Sequence, residues 1–558
     1  MHEVDTLTEM LTQRARSRPD TRLLIFLDRQ TGSPTLAELD AAARLVASAL
    51  RDRAPRGSRA LLVYPTGPEF VAAFFGCLYA GVIPVPAPPP VPGVMAQRFA
   101  AIVADCAPEL VLTVGEWRPL LEGSGLASVT TDELGEDDYP SIPAPYVPME
   151  IRSSDVAYLQ YTSGTTGSPR GVMHTHASIL ANLRLSSADH SITPDDRLVG
   201  WLPLFHDLGL VSQVLQPLFD GCEALLTQPQ NFVADPAGWL RVVSERAATM
   251  IALPEFGYRM LLRRIPAEQR GDMRLEQLRL ARIAAEALDP ATMRAFVEGF
   301  ADAGLPVEVL NTGYGLAEAV VHVCITPPGA SPVVLHADRK GLARGVLREG
   351  GENAVAVVSS GRPGPGVPVM IAGLGTATPV EDGRIGQILL SGPSVARRYW
   401  ITPESRSDMN GRRWRPTGSL GFVLDGVRWL PTGDLGCLIN GELFVLGRIA
   451  DLLVLEGHWH LPADVERTAA AAHPAIRSHA CAVFSLAGNA VLMAEIAGDA
   501  DEDEVADAVR RAVAAVHDIA LIDIQFVAHG AVPVTTSGKL RRGACRELYR
   551  AAFSAKAV

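Results

Sequence analysis

The chain has 558 residues, 48% of them apolar and 20% charged, with a formal net charge of -12. That length is too great for one compact domain and predicts about three or four structural units. The acidic balance, with no long basic run, argues against nucleic acid as the main partner, because phosphate-backbone binding needs clustered Lys and Arg.

The seven cysteines, Cys77, Cys106, Cys222, Cys324, Cys437, Cys481 and Cys545, stand at no metal-ligand spacing. They read as buried thiols in a reducing compartment rather than as a zinc site. Met1 to Asp20 mixes acids and bases without an apolar core, so no signal peptide is expected. Helical apolar spacing covers Thr6 to Arg18 and Thr35 to Arg53, and a short strand is expected over Arg59 to Tyr64. Phe70 to Val94 is uncharged, but Pro84, Pro86, Pro88, Pro89, Pro90 and Pro92 break it. The helical part, Phe70 to Ile83, falls short of the ~20 residues of a membrane span. A buried helix followed by an extended proline-rich loop is expected, and with it a cytoplasmic protein. Strands follow at Cys106 to Thr113, Val156 to Gln160, Asp196 to Leu202, Ala248 to Leu253, Leu280 to Ala284 and Val307 to Leu310. Their alternation with helical stretches predicts α/β layering. Val355 to Leu390 turns to short strands rich in Gly and Pro, a small β-rich subdomain. Beyond a break at Gly447 to Asp451 come helices at Pro462 to Ala472 and Glu502 to Val516. Between them lie strands at Ala480 to Phe484 and Ala490 to Ile496, which together predict a separate α+β unit.

The stretch with most chemistry is Tyr161 to Gly171, YTSGTTGSPRG, directly after an apolar strand. Alternating glycines and hydroxyl residues let backbone N–H groups and side-chain hydroxyls converge on one concavity, which suits a triphosphate. Arg170 adds a fixed cation. The pattern is not G-x-x-x-x-G-K-[ST], which disfavours a P-loop NTPase. No G-x-S-x-G elbow occurs, which disfavours an α/β-hydrolase.

The loop resembles the phosphate-binding motif of the adenylate-forming superfamily. The other motifs of that superfamily follow in order: Gly313-Tyr314-Gly315 to Glu318, Thr432 to Asp434, Gly447-Arg448, and Ser537 to Lys539. The resemblance implies an α/β fold: a large N-terminal adenylation domain over 1–447, built from two α/β layered subdomains and the β-rich one. A mobile α+β C-terminal domain would cover 448–558. It also implies ATP and Mg²⁺ as cofactors. Thr162, Ser163, Gly164, Thr165, Thr166, Gly167 and Arg170 would hold phosphates. Ala285 and Glu286, in the stretch matching N-G-A-E, would pack on adenine with Tyr314. Asp434 and Arg448 would reach the ribose. Glu318, with Thr166, would bind Mg²⁺, and Lys539 would bridge the carboxylate and the α-phosphate. Without that context Glu318 and Lys539 would read as ordinary solvated surface charges.

Within the superfamily the chain resembles fatty acyl-AMP ligases, on Phe70 to Val82, Trp201 to Leu210, Asn231 to Leu240, Leu253 to Tyr258, Ser359 to Pro363 and Gly392 to Trp400. The long segment from Glu318 to Ser359 matches an insertion in that family. The implied reaction joins a fatty or related acid to AMP and passes the acyl group to the phosphopantetheine of a separate acyl carrier protein. Such chemistry serves lipid metabolism and polyketide or lipopeptide biosynthesis. An acyl-CoA ligase and a non-catalytic acyl-adenylate scaffold stand as alternatives. His206 and Asp207, neighbours that on a strand would face opposite ways, are expected to shape the acyl pocket rather than to act as a proton-transfer pair. Ala247 to Tyr258 is expected to be helical, with Met250, Phe256 and Tyr258 either lining an acyl tunnel or packing in the core. Ala450, Glu456 and Trp459 depart from the family pattern and leave open what the C-terminal domain contacts.

Overall fold

The computed structural model describes residues 4–28, 32–131, 149–162, 169–283, 288–351, 353–400, 421–498, 500–535 and 539–553. Near the N-terminus, Thr35 caps the helix Leu36–Leu50 by accepting from the Glu38 N–H at 3.2 Å while Glu38 accepts from the Thr35 N–H at 2.7 Å, a reciprocal capping box. This helix lies against Pro68–Ala80, whose residues from Phe70 on are all buried. Their closest approach is at Gly76, where a Cβ would stand 2.6 Å from Val46. Among the described residues no helix is long and apolar enough to cross a membrane. The proline-rich stretch begins as a strand, Ile83–Pro86, rather than as a loop. It is the edge of a parallel sheet ordered Ile83–Pro86, Arg59–Val63, Leu110–Thr113, Ser128–Thr130, and an edge is where strands tolerate residues without an N–H.

The central sheet runs in the order Leu24–Phe26, Glu223–Leu226, Arg197–Gly200, Met250–Leu253, Leu280–Ile283, Leu310–Tyr314, Cys324–Ile325, Arg362–Pro363. The first six strands are parallel and the last two antiparallel. The parallel strands are mainly apolar because both faces are covered, with Arg282, Asn311 and Thr312 as buried exceptions. Leu198, Met250 and Leu280 enter one core, Val199, Ile251 and Ala281 the other.

Two expected elements change. Ala247 to Tyr258 is not one helix: the strand expected over Ala248 to Leu253 forms as Met250–Leu253, and the helix Glu255–Arg264 starts after Pro254. Proline has no N–H for the ladder but suits a helix start. Val307–Val309 forms a 3₁₀ turn after Pro306, and the strand runs instead over Leu310–Tyr314. The β-rich part is a five-stranded sheet of Val369–Ala372, Gly386–Leu390, Phe422–Leu424, Val427–Ile439 and Glu442–Arg448. After it, helices Pro462–Ala472, Glu502–His517 and Arg542–Phe553 pack on a three-stranded sheet, Ile476–Leu486, Asn489–Ile496 and Leu521–Val527.

Candidate active site

The two strands that flank the Gly/Ser/Thr stretch pair with each other. Val156–Tyr161 pairs antiparallel with Gly171–Thr175, and the turn is closed by the Thr162 N–H donating to Arg170 O at 3.1 Å and the Arg170 N–H to Thr162 Oγ1 at 3.3 Å. Ser163, Gly164, Thr165, Thr166 and Gly167 lie outside the described residues, as do Ala285 and Glu286. Beneath the hairpin, Arg98 donates to Tyr161 O at 3.2 Å. The Arg170 guanidinium lies over the Tyr399 ring, 4.5 Å from its centre, and the Tyr399 hydroxyl donates to Glu318 at 2.6 Å. Arg170, Tyr399 and Glu318 thus form one chain of contacts beside the loop. Burial, then the Glu318 charge, push the Tyr399 phenol up, so it stays a donor.

A second group forms where the central sheet meets the β-rich sheet. Tyr314 ends the strand Leu310–Tyr314 and donates to Asp434 Oδ2 at 2.5 Å. Asp434 and Arg448 are register partners on adjacent strands, and Arg448 Nε meets Asp434 Oδ1 at 2.9 Å. Thr432 accepts from the Asp434 N–H at 3.0 Å, and its carbonyl accepts from Arg448 Nη1 at 3.2 Å. Asp434 is only 6% exposed. Burial raises its pKa, against the pull of Arg448 and the Tyr314 hydrogen bond. Burial alone would lower the Arg448 pKa, but Asp434 and neighbouring acids raise it, so the guanidinium stays charged. Gly313 and Gly315 flank Tyr314 under tight constraint: a Cβ at Gly315 would fall 1.6 Å from Val321 O, which no side chain survives.

Lys539 arrives from the far end of the chain. Its N–H donates to Thr535 Oγ1 at 3.1 Å, and its carbonyl accepts from the Thr535 N–H at 2.8 Å. Its charge acts on Asp434, on Asp207 and on His206. His206 is pushed down to about 3 by burial first, then by Arg98 and Lys539, so it is neutral. Burial raises the Asp207 pKa. His206 and Asp207 do not lie on a strand as expected: His206 precedes the short helix Asp207–Leu210, and Asp207 accepts from the Leu208 N–H at 2.7 Å. Backbone alternation therefore says nothing of this pair. Tyr258 is fully packed, its ring edge-on to Phe296 and its hydroxyl donating to Arg282 O at 2.9 Å. Phe256 packs edge-on to Trp201.

Sequence reasoning gave no role of their own to Tyr399, Arg98 or Thr432. Arg98 carries no sequence signal, since it sits in an ordinary amphipathic helix, Val94–Cys106. Glu318 suits Mg²⁺ as a single half-buried carboxylate, because that ion keeps waters and substrate phosphates as its other ligands. Among the described residues no group of three or more His, Cys, Asp or Glu gathers as a complete metal cage.

An open α/β sheet with its polar residues at the strand ends, joined by a small α+β part that supplies a lysine, defines an adenylating enzyme. Comparison with known proteins gives the family. Residues 11–400 match the AMP-binding enzyme family, and residues 450–556 match the Disco-interacting protein 2-like AMP domain. The chain is 33% identical to the medium-chain-fatty-acid–[acyl-carrier-protein] ligase JamA of Moorena producens, over 98% of this chain and 95% of that one. It is 32% identical to the long-chain-fatty-acid–AMP ligase FadD26 of Mycobacterium marinum, over 98% and 97%. A structure from a study of fatty acyl-adenylate ligases from E. coli and L. pneumophila superposes with a TM-score of 0.86 at 30% identity, covering 99% of both chains. The L. pneumophila ligase in complex with acyl adenylate and pyrophosphate superposes at 0.75, with 28% identity over 98% and 96%. The chain belongs to the AMP-binding enzymes, in their fatty acyl-AMP ligase branch.

Proposed function

We propose that this enzyme joins a fatty or related carboxylic acid to AMP and then passes the acyl group to the phosphopantetheine thiol of a separate acyl carrier protein. In the first step a carboxylate oxygen bonds to the α-phosphorus of ATP and the bond to pyrophosphate breaks. In the second the thiol sulfur bonds to the acyl carbon, AMP leaves with the electron pair, and the thiol proton passes to solvent. Negative charge meets negative charge in the first step, so fixed cations carry much of the catalysis. Lys539 would bridge the carboxylate and the α-phosphate. Asp434 would accept from the ribose hydroxyls while Arg448 holds it in place. Arg170, with Ser163 to Gly167, would hold phosphate oxygens. Glu318 would hold Mg²⁺, which supplies charge neutralisation when bound. The observation that carries this reading is the whole-length match to fatty acyl-AMP ligases together with the closed Tyr314, Asp434 and Arg448 network at the end of the central sheet.

The choice of acceptor is supported by the segment from Glu318 to Ser359. Its helix Arg339–Leu342 reaches the C-terminal part, where Arg339 pairs with both oxygens of Asp464 at 2.9 and 3.0 Å. The Trp459 N–H donates to Ala343 O at 3.0 Å, and its indole lies against Gly345. Trp459, a departure from the family pattern, is thus a contact for that segment. Glu456 opens a tight turn at φ 49°, followed by Gly457 at φ 80°, and is exposed. An acid there weakens the basic surface that the phosphates of CoA would need. A carrier protein docks through its own surface and inserts only the pantetheine arm. We take 1–447 and 448–558 as the moving parts, with the swivel at Gly447 to Asp451. A reducing, cytoplasmic setting completes the reading and agrees with seven buried, unpaired cysteines.

The test is to supply a long-chain acid and ATP, follow pyrophosphate, then offer CoA or a set of carrier proteins. Accumulated acyl-AMP discharged only by a carrier is expected. Rapid acyl-CoA formation would overturn the choice of acceptor, and binding of acyl-AMP without pyrophosphate release would make the chain a scaffold.

A further inference from the structure

The turn that carries Glu318 is bent into a shape its residues do not favour. Glu318 sits in the 3₁₀ turn Ala317–Ala319, and the next residue, Val320, has φ 68° and ψ -69°. The Val321 N–H donates back across Val320 to Ala319 O at 2.9 Å. This is the rarer of the two γ-turns, strained in itself and more so for a β-branched residue. Such strain persists only where the surroundings over-determine it. Asn182, buried on the helix His176–His190, does that here. Its amide donates to Ala319 O at 3.1 Å and to His322 O at 2.8 Å, and accepts from the His322 N–H at 3.2 Å.

The Glu318 side chain is held as firmly as its backbone. Residues 396–400 bridge from Glu318 to the strand Gly171–Thr175. The Ala396 N–H donates to Glu318 O at 2.7 Å, the Met173 N–H to Arg398 O at 3.2 Å, and the Trp400 N–H to Gly171 O at 2.7 Å. Between these ties Tyr399 forms a backbone bridge to Val172. Its hydroxyl donates to Glu318 Oε1 at 2.6 Å, and Arg170 lies over its ring. One phenol thus meets both the proposed metal ligand and a proposed phosphate ligand, the first with its hydroxyl and the second with its face. Among the described residues Glu318 Oε2 has no hydrogen-bond partner.

Mg²⁺ demands near-ideal octahedral geometry and is usually held by one or two carboxylates, with water and phosphate oxygens as its other ligands. A carboxylate that can swing would offer it one oxygen, then the other. A neutral hydroxyl bonded to one oxygen stops that motion without cancelling the charge that attracts the ion. Hydrogen bonds to ligating carboxylates tune metal affinity for this reason.

We propose that Tyr399 is a positioning residue for the metal. Its hydroxyl occupies Glu318 Oε1 and leaves Oε2 for Mg²⁺, while its ring carries Arg170, so that cation and carboxylate act on the nucleotide as one unit. This rests on the adenylation reading above and deepens it.

The experiment measures binding of α,β-methylene-ATP, which cannot release pyrophosphate, to the full chain by calorimetry, once with Mg²⁺ and once with EDTA. The readout is the ratio of the two Kd values, the factor by which the metal tightens the nucleotide. Tyr399→Phe keeps the ring beneath Arg170 and loses only the hydroxyl. Its factor should fall about tenfold, the usual loss when a partner of a metal ligand is removed, while the Kd in EDTA holds. Tyr399→Leu loses the ring as well, so its Kd in EDTA should also weaken, by the few-fold of a cation–π contact near solvent. Glu318→Gln should lose the factor, and adding Tyr399→Phe to it should change nothing more, because the hydroxyl acts through that carboxylate. Melting temperatures check that each variant folds. A wild-type factor in Tyr399→Phe, an equal loss with and without metal, or a further loss in the double variant overturns the proposal. Pyrophosphate release by the wild type, followed alongside with a fatty acid and ATP, shows whether the adenylation reading still stands. A wild type that binds no nucleotide overturns both.

Discussion

The strand Leu310–Tyr314 serves two polar clusters that could hardly differ more. At its end, the Tyr314 hydroxyl, both oxygens of Asp434 and the Arg448 guanidinium all have partners at 2.5 to 3.2 Å. Three residues earlier, Asn311 faces Arg282, and the polar atoms of that neighbourhood point at one another's absence. A completed network is rigid before any substrate arrives, so it suits the part of the substrate that never changes. An incomplete one is costly until something fills it. The residues proposed above to hold the nucleotide, Tyr314, Asp434 and Arg448, are of the first kind, and the neighbourhood of Arg282 is of the second.

The sharpest way to break the contrast is at Lys539, the lysine proposed above to serve every substrate alike. Lys539→Ala should cut acyl-AMP formation by ~10²–10³, the usual loss for one preorganised charge partner. The loss should be the same for every acid, and the melting temperature should hold, because Lys539 is held to the fold through its backbone. A wild-type rate would show that the residue is misassigned.

Next in size is the completed network. Arg448→Ala removes the cation from a nearly buried Asp434. Hydrogen bonds to charged groups contribute about 1.5–3 kcal/mol, so the KM for ATP should rise about 10- to 100-fold. The ranking of acids should not move. If it does, this network acts on the acid as well as on the nucleotide.

The same contrast explains what could be read from the chain. Tyr314, Glu318, Asp434, Arg448 and Lys539 could be named as candidates because each sits in a short local motif. Their meeting could not be read, since Tyr314 and Asp434 lie 120 residues apart and touch only through the packing of two sheets. The layered fold followed from apolar strands alternating with helices. The error at Ala247 to Tyr258 arose because an apolar run followed by Pro254 reads equally well as a helix or as a strand and a break. Tyr399 lay in a passage already matched to the ligases, but only its contacts with Glu318 and Arg170 give it a part. Arg282 was invisible for a different reason. One charge in an apolar strand is informative only once every neighbour is known to leave it unpaired.

The smallest effect expected is at the contact between the Glu318 to Ser359 segment and the C-terminal part. Arg339 and Asp464 are 23% and 10% exposed, so their bidentate pair is only partly screened by water. Pairs of this exposure contribute about 1 kcal/mol, which corresponds to a few-fold change in an equilibrium. Arg339→Ala should therefore speed tryptic cleavage at Arg448 about threefold and raise the slow transfer of acyl groups to CoA by a similar factor. Arg467→Ala is the control. Arg467 also approaches Asp464, at 3.6 Å, but from the same helix, so it ties nothing across the contact. If the two variants behave alike, Asp464 serves the C-terminal part alone, and the restraint rests on Trp459 and its bond to Ala343 instead. If Arg339→Ala alone loosens the swivel, the segment restrains it through this pair, and the restraint is as small as an ion pair at the edge of solvent allows.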